Sequence, residues 1–492
     1  PKQSPSYSPK IPTVLYYDED MKYLKKIGGE ANNMFAKRKK NGVLLKHFKL
    51  LLSNGPELGH AEKPWANMEN FEVVDAVANF LRDFTEAGLK KMRQAIGDEM
   101  KLDRLGFVIA IPPTWSHEAK NTMKAAVKRA NLVSGEFESK IMFITEAEAA
   151  AIYCEKYFSE EFRMDKHQRF MICDAGGGTV DLATYEVTVH EKLGEELVLK
   201  ELTSSDCEST GSSHLDERFR KYLLKKMKES NIEYNESGID DVVAQFCREI
   251  KPSLNPDLEE DIKMELPLSL GINSDNGDES DLIVNDEISF NCAELENEVF
   301  KPCIDRILKL IERQLKKIPE GERQLDAILV VGGFGQSSYL YKKIVDKFEN
   351  KAIGAKFIGK PPNGDLAISR GAVSFGLEPR TVSTNITRYS YGLQVKDHFN
   401  ERRDNVEMRV EGYNGDVYCQ NVFSPLVSKD KNISRGTVYI HKVYVMYPSD
   451  PIFGNTSSEA NIHCLLNPFF LLLLILFSHL CNPRKNFTEI NH

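Results

Sequence analysis

Three consecutive glycines stand between two aspartates in the stretch DAGGGTVD, which supplies Asp174, Gly176, Gly177, Gly178, Thr179 and Asp181. Glycine weakens a strand-forming region, so a run of it signals backbone that must approach another group closely or adopt positive φ. Consecutive glycines let several N–H groups converge on one phosphate oxygen without side-chain obstruction. Asp174 would end a buried strand beside that cradle, and a carboxylate there suits Mg²⁺, which keeps much of its water and bridges to substrate phosphates. Thr179 adds a hydroxyl and Asp181 a second carboxylate. The chemistry indicated is a magnesium–phosphate site. The competing reading is an ordinary hairpin turn, which needs one or two glycines, usually Asn-Gly or Asp-Gly. The stretch lacks the Lys-Ser/Thr ending of a P-loop, and a second turn, GGFGQSS, has Ser338 where a dinucleotide fingerprint has its third glycine.

The elements that must position these residues alternate between strand-like and helix-like segments, which argues for an α/β core. Residues 170–173 form a short apolar run suited to a buried strand, and residues 180–187 have the mixed pattern of a half-buried one. LGFVIAIPPTW is a strand stopped by Pro112 and Pro113, followed by a helix for which Ser116 is the N-cap. IMFITEAEAAAIY repeats that grammar, with Thr145 and Glu148 spaced as a capping box. AILVVGGFGQSSYLYKKIVDKF is again strand, glycine turn and helix. The repetition suggests a duplicated architecture with a cleft between lobes. From Thr381 onward β-branched and aromatic residues dominate, as in GTVYIHKVYVMY, so a smaller β-rich module is expected.

Composition narrows the function classes. A 492-residue chain that is 41% hydrophobic and 28% charged is globular and long enough for roughly two to four domain-sized units. Its net charge of −9 carries no electrostatic footprint for nucleic acid. The basic run 37–40 reads as a solvated helix face, and the acidic stretch 275–281 as a solvated loop. Nine scattered cysteines without a CxxC pair fit reduced thiols in a cytoplasmic protein. Residues 464–481 carry no Asp, Glu, Lys or Arg and reach the lower edge of a membrane-spanning helix. That tail has two readings, a C-terminal anchor or the product of a misassigned gene end.

Four motifs in order carry a resemblance. DAGGGTVD resembles the second phosphate loop of the actin-like ATPase superfamily and ILVVGGFGQS its adenosine loop, with ITEAEAAAIY before them and DLAISRGAVSFG after. VIAIPPTWSHEAK, PTVLYYDED and GLEPRTVS are similar to the divergent branch of the seventy-kilodalton heat-shock chaperones, that of member twelve. The resemblance covers residues 11–380 well and implies two ribonuclease-H-like lobes around a nucleotide cleft. The implied division is a first lobe at 1–168, a second at 169–378, the β-rich module at 379–460 and the hydrophobic tail at 461–492. The family's first phosphate loop would lie just upstream of Pro1, so the chain reads as a fragment.

By the same resemblance, Asp174 orders the metal-bound water, while Gly176, Gly177, Gly178 and Thr179 hold the β- and γ-phosphates. Glu146 lies near the attacking water, and Lys49 stabilises the transferring phosphate. Gly332 and Gly333 approach the nucleoside, Lys251 borders the adenine, Gln336 lies on the adenosine loop and Asp365 marks the second connection. From the residues alone, Lys49 equally suits an apolar-periodic helix from which it snorkels to solvent, and Glu146 a helix N-terminus. Three departures weaken the adenine side: Arg248 replaces a Glu, Pro252 an Arg, and Gln336 the Arg of the adenosine loop. The implied cofactors are ATP or ADP with Mg²⁺, and the implied partners protein clients or co-chaperones. Two functions follow: a chaperone-like switch driven by slow ATP hydrolysis, or a catalytically eroded nucleotide-binding or interaction protein without turnover.

Overall fold

The computed structural model describes residues 10–21, 24–37, 42–46, 48–52, 71–132, 140–158, 165–189, 197–255, 261–272, 282–284, 287–379, 382–387, 389–412, 415–434, 438–446, 457–467 and 470–477. Residues 38–40 of the basic run and the acidic stretch 275–281 lie outside them. The chain divides into two compact units, Pro1–Thr184 with Ser205–Thr381, and Tyr185–Ser204 with Val382–His492.

The first unit begins with strands β1 (Val14–Tyr17), β2 (Leu24–Ile27) and β3 (Val43–Lys46), antiparallel in the order β2-β1-β3, and helix α1 (Gly28–Lys37). All four residues of β1 are buried, Tyr16 and Tyr17 included. Lys49 lies on a short 3-10 turn, Phe48–Leu52, rather than on the longer helix its apolar neighbours suggested. Helix α2 (Val73–Ile96) follows, opened by a capping box between Glu72 and Asp75. Strands β4 (Phe107–Ile111) and β5 (Ile141–Thr145) pair in parallel around helix α3 (His117–Arg129), and Ser116 caps α3 by accepting from the Ala119 N–H. Helix α4 (Glu146–Tyr157) starts where β5 ends, with the Thr145–Glu148 capping box formed in both directions.

Strand β6 (Arg169–Ala175) and strand β7 (Val180–Val189) flank the triple glycine. Strand β8 (Leu197–Glu208) leads to helix α5 (Ser212–Glu229), helix α6 (Glu236–Glu249) and the small sheet β10-β11-β9, made of β9 (Ile262–Glu265), β10 (Ile283–Val284) and β11 (Glu287–Phe290). Helix α7 (Lys301–Lys316) precedes β12 (Gln324–Val331), helix α8 (Ser338–Phe348) and β13 (Gly354–Gly359). In this unit the sheet order is β13-β12-β6-β7, with β12 parallel to both neighbours. Val180 through Tyr185 are all buried, so β7 is an interior strand, not a half-buried one. Both faces of this sheet are covered, and inside it the Gln314 amide donates to Thr184 Oγ1 at 3.4 Å. One core joins the sheet (Met171, Ile328, Val330) to α5, α6 and α7, with Phe219 and Phe246 stacked at 4.0 Å.

Helix α9 (Ala367–Leu377) closes the unit against α4. Ala149, Ile152, Ala372 and Phe375 form their apolar seam. The helices meet so closely that a Cβ on Gly371 would lie 1.7 Å from the carbonyl oxygen of Ala149. The alanine run in α4 is therefore a packing surface for a helix more than two hundred residues later.

In the second unit, β14 (Val382–Ile386) pairs with β8, and a further sheet has the order β15-β17-β16, from β15 (Tyr391–His398), β16 (Arg409–Glu411) and β17 (Val417–Val427). Strand β18 (Asn432–Ser434) borders β14. Strands β19 (Val438–Met446), β20 (Ser457–Asn467) and β21 (Phe470–Phe477) form an antiparallel sheet of their own. The described part of the hydrophobic tail is thus strand, not the membrane-spanning helix its composition suggested. Antiparallel pairing with β20 runs the length of β21 and satisfies the backbone groups on that edge. Among the described residues no helix is long and apolar enough to cross a membrane.

Gly371→Ala should destabilise the first unit by about 2–3 kcal/mol, because neither helix backbone can yield to the added methyl. Urea denaturation of wild type and variant measures it, and an unchanged midpoint would show that the crossing is looser than described.

Candidate functional site

Parallel pairing of β6 and β12 places their carboxyl ends side by side, with Asp174 opposite Val331. The two glycine turns that follow these strands are therefore neighbours. Gly332 adopts φ +84°, and a Cβ there would lie 2.3 Å from Ala175 O and 2.5 Å from Asp174 Oδ1. Only glycine fits both the conformation and the contact. Its N–H donates to Gly364 O at 3.0 Å, which ties the turn before α9 to the same spot.

The triple glycine is shaped by the start of α5. The N–H groups of Gly211, Ser212 and Ser213 donate to the carbonyls of Gly178, Gly176 and Gly177 at 3.1, 3.1 and 2.8 Å. A Cβ on Gly211 would come within 2.5 Å of Gly177 O, so this approach also requires glycine. With their carbonyls committed to α5, the N–H groups of Gly177, Gly178 and Thr179 meet no acceptor among the described residues. Thr179 Oγ1 donates to Asp181 Oδ2 at 2.8 Å, so its hydroxyl proton is already directed at the second aspartate.

Three carboxylates and a lysine converge here. Lys49 Nζ pairs with Glu146 Oε1 and lies 5.9 Å from the Trp115 ring centroid. The Lys49 side chain is 42% exposed and that of Glu146 only 11%, so the lysine reaches inward from a partly exposed stem to a carboxylate held inside. Asp174 and Asp181 are buried, and each keeps one oxygen, Oδ1, without a hydrogen-bond partner. Burial, with Glu146 and Asp181 nearby, holds the Asp174 carboxyl well above its ordinary range, against the opposing pull of Lys49 and Lys10. Asp181 is pushed up to about 6 by burial and then Glu146, while the Thr179 hydroxyl, the Cys207 thiol and Lys49 favour its charge. Burial works against the charge on Lys49, but Glu146, Asp181 and Asp174 outweigh it and hold that ammonium above its usual value.

Two buried carboxylate oxygens without partners suit a divalent cation. No group of three or more His, Cys, Asp or Glu side chains forms a metal cage among the described residues. The donor set therefore fits Mg²⁺, which keeps water and takes substrate phosphate oxygens, better than a cation held by protein alone.

The other expected residues divide. Gly333 lies at the turn, and Asp365 Oδ2 is 3.7 Å from Lys10 Nζ. Gln336 buries its Nε2 without an acceptor, 2.6 Å from where a Cβ on Gly364 would sit. Lys251 is committed to Asp216 of α5 at 2.6 Å, and no described contact brings it to either glycine turn. Sequence reasoning left Lys10, Cys207, Gly211 and Gly364 out of the site. Gly211 had a visible signal, a glycine just before the Ser-Ser start of a helix; Lys10, in a loop-like segment, had none.

No family model matches the chain. Heat shock 70 kDa protein 12A of Mus musculus is 25% identical over 466 residues, which cover 81% of this chain and 67% of the relative. Heat shock 70 kDa protein 12B of Homo sapiens is 24% identical over 441 residues, 75% of this chain and 62% of the relative. Chaperone protein DnaK of Mycoplasma mobile is 22% identical over 307 residues, 60% of this chain and 45% of the relative. The chain is a divergent relative of the 70 kDa heat-shock proteins. It spans about two thirds or less of the length of these heat-shock relatives. With that relationship comes an actin-like ATPase fold, in keeping with the mixed α/β core.

The unpaired carboxyls set a pH dependence. Between the ordinary carboxylate value of 3.8 and about 6, native Asp181 holds a proton that the unfolded chain has released. Stability of the ligand-free protein therefore falls as pH rises across that window and stays low above it. Asp181→Asn should reduce that slope and stabilise the protein at pH 7 by up to about 3 kcal/mol. Urea midpoints from pH 4 to pH 7.5 for both proteins measure this, and identical slopes would show that Asp181 titrates normally.

Proposed function

We propose that this chain binds a magnesium–nucleoside triphosphate, ATP, at the paired glycine turns, and hydrolyses it slowly to drive a change between its lobes. The observation that carries the reading is the conjunction of three acceptor-less N–H groups at Gly177, Gly178 and Thr179 with two unpartnered oxygens on Asp174 and Asp181. A phosphate chain with its cation supplies what each set lacks: oxygens for the donors and positive charge for the carboxylates.

Each residue then has a task. The N–H groups of Gly177, Gly178 and Thr179 cradle phosphate oxygens, and Gly332 and Gly333 let the nucleoside lie against bare backbone. Gln336 presents an amide donor there, in place of a stacking guanidinium. Asp174 and Asp181 would hold the cation, and Mg²⁺, when bound, would neutralise phosphate charge. Lys49 would turn from Glu146 towards the transferring phosphate, leaving Glu146 free to orient the attacking water. Phosphoryl transfer needs mainly such positioning and charge neutralisation.

Kinship with proteins named as heat-shock proteins and a chaperone supports a chaperone-like role. A second reading, nucleotide holding without turnover, has its own support: the Thr179 hydroxyl is already committed to Asp181.

Calorimetric titration of MgATP into the full chain, followed by single-turnover hydrolysis, decides between them. Asp174→Ala should weaken binding at least tenfold and remove its magnesium dependence. Lys49→Ala should leave binding within a few-fold and slow hydrolysis a hundredfold or more. Tight binding without hydrolysis in the wild type favours the holding reading, and no binding by the folded chain overturns both.

A further inference from the structure

A second lysine borders the site from a segment to which the motifs assign nothing. Pro12 and Ile11 anchor that segment. Ile11 packs against Gly28 so closely that a Cβ there would lie 2.6 Å from Ile11 Cγ2, and Gly28 itself takes φ +65°. The Pro12 carbonyl accepts the Val14 N–H at 2.9 Å, where the buried strand β1 begins. Lys10 therefore leaves a fixed point. Its Nζ comes to 3.3 Å from where a Cβ on Gly333 would sit and to 3.7 Å from Asp365 Oδ2. Gly332, the next residue along the turn, touches the Asp174 carboxylate.

The ion pair with Asp365 is long, and its side chains are 44% and 27% exposed. Pairs of this kind hold weakly, since each partner stays partly solvated. A phosphate chain beside Asp174 would offer the same ammonium several anionic oxygens, and a lysine is a point charge on a flexible stem that can turn to meet them.

We propose that Lys10 is a phosphate-contacting residue, a second cation that moves from Asp365 to the phosphates when nucleotide binds. This rests on the nucleotide reading above. Lys49 and Lys10 then share the charge of the phosphate chain, one from the floor of the first sheet's connection and one from the segment leading into β1. The competing role for Lys10 is a surface tie that merely fastens this segment to Asp365.

Three probes on the full chain separate the two roles: MgATP, adenosine, and inorganic tripolyphosphate with Mg²⁺. Lys10→Ala should weaken MgATP and tripolyphosphate roughly tenfold and leave adenosine unchanged, while Lys10→Arg, which keeps the charge, restores most of the loss. The weakening should shrink as salt is raised. Equal affinities for wild type and Lys10→Ala, or an equal loss for adenosine and MgATP, would overturn the proposal and leave the nucleotide site standing. Failure of wild type to bind any of the three would instead overturn the nucleotide reading, and Lys10's role with it. Because Lys10 is exposed, the melting curve of each variant should match wild type, which confirms that the losses are local.

Discussion

The site depends on how the start of α5 grips the triple glycine. Three consecutive N–H groups, from Gly211 to Ser213, draw the carbonyls of residues 176–178 to one side. A peptide unit carries its N–H opposite its carbonyl, so fixing one set of groups aims the other. The N–H groups of the turn are thus aimed from behind, and under the proposed nucleotide reading they would need no reorganisation to receive an anion. Glycine at 211 is necessary to that arrangement, since any side chain there would collide with the loop it orients, whereas a Cβ at 177 would meet open space.

Charge is the second constraint. Asp174, Asp181 and Glu146 are buried together, with Lys49 as their compensating neighbour. In the absence of ligand, Asp174 and Asp181 relieve the repulsion within this cluster by holding their protons more tightly than free carboxyls do. The fold therefore carries a local electrostatic cost, which the Lys49–Glu146 pair offsets only in part. Such concentrated, under-compensated charge is found where a protein is built to receive a counter-charge. It also accounts for the depth of the scaffold: β7 is buried throughout its first six residues, and only a strand enclosed on both faces keeps Asp181 away from water.

Local grammar was legible in the sequence. Ser116, the Thr145–Glu148 box and the strand–glycine–helix unit at residues 327–348 formed as their spacing indicated, because caps and turns are decided by residues a few positions apart. The convergence of Asp174 with Gly332 was legible only through the resemblance, since it follows from a parallel pairing of strands some 150 residues apart in sequence. What sequence did not disclose was set by tertiary choice. Lys251 had an acidic partner on α5 that no spacing rule foretells. Burial of β7 on both faces erased the alternation that would have marked it. Leu-rich residues 470–477 suit a helix locally, yet they pair as a strand against β20, a partner that local propensity does not reveal.

The seam between α4 and α9 has a temporal meaning as well as a spatial one. Glu146 stands at the first turn of α4, and the face of that helix is completed only by Gly371 and its neighbours. During synthesis, more than two hundred residues separate the emergence of the two helices, and at typical elongation rates of about 5–20 residues per second the first waits on the order of tens of seconds for the second. Throughout that interval the alanine face of α4 is exposed, and the carboxylate it carries has no settled position. The order of translation thus makes the charged end of the site among the last parts of the first unit to become native, and leaves its nascent form with an apolar helix face to shield.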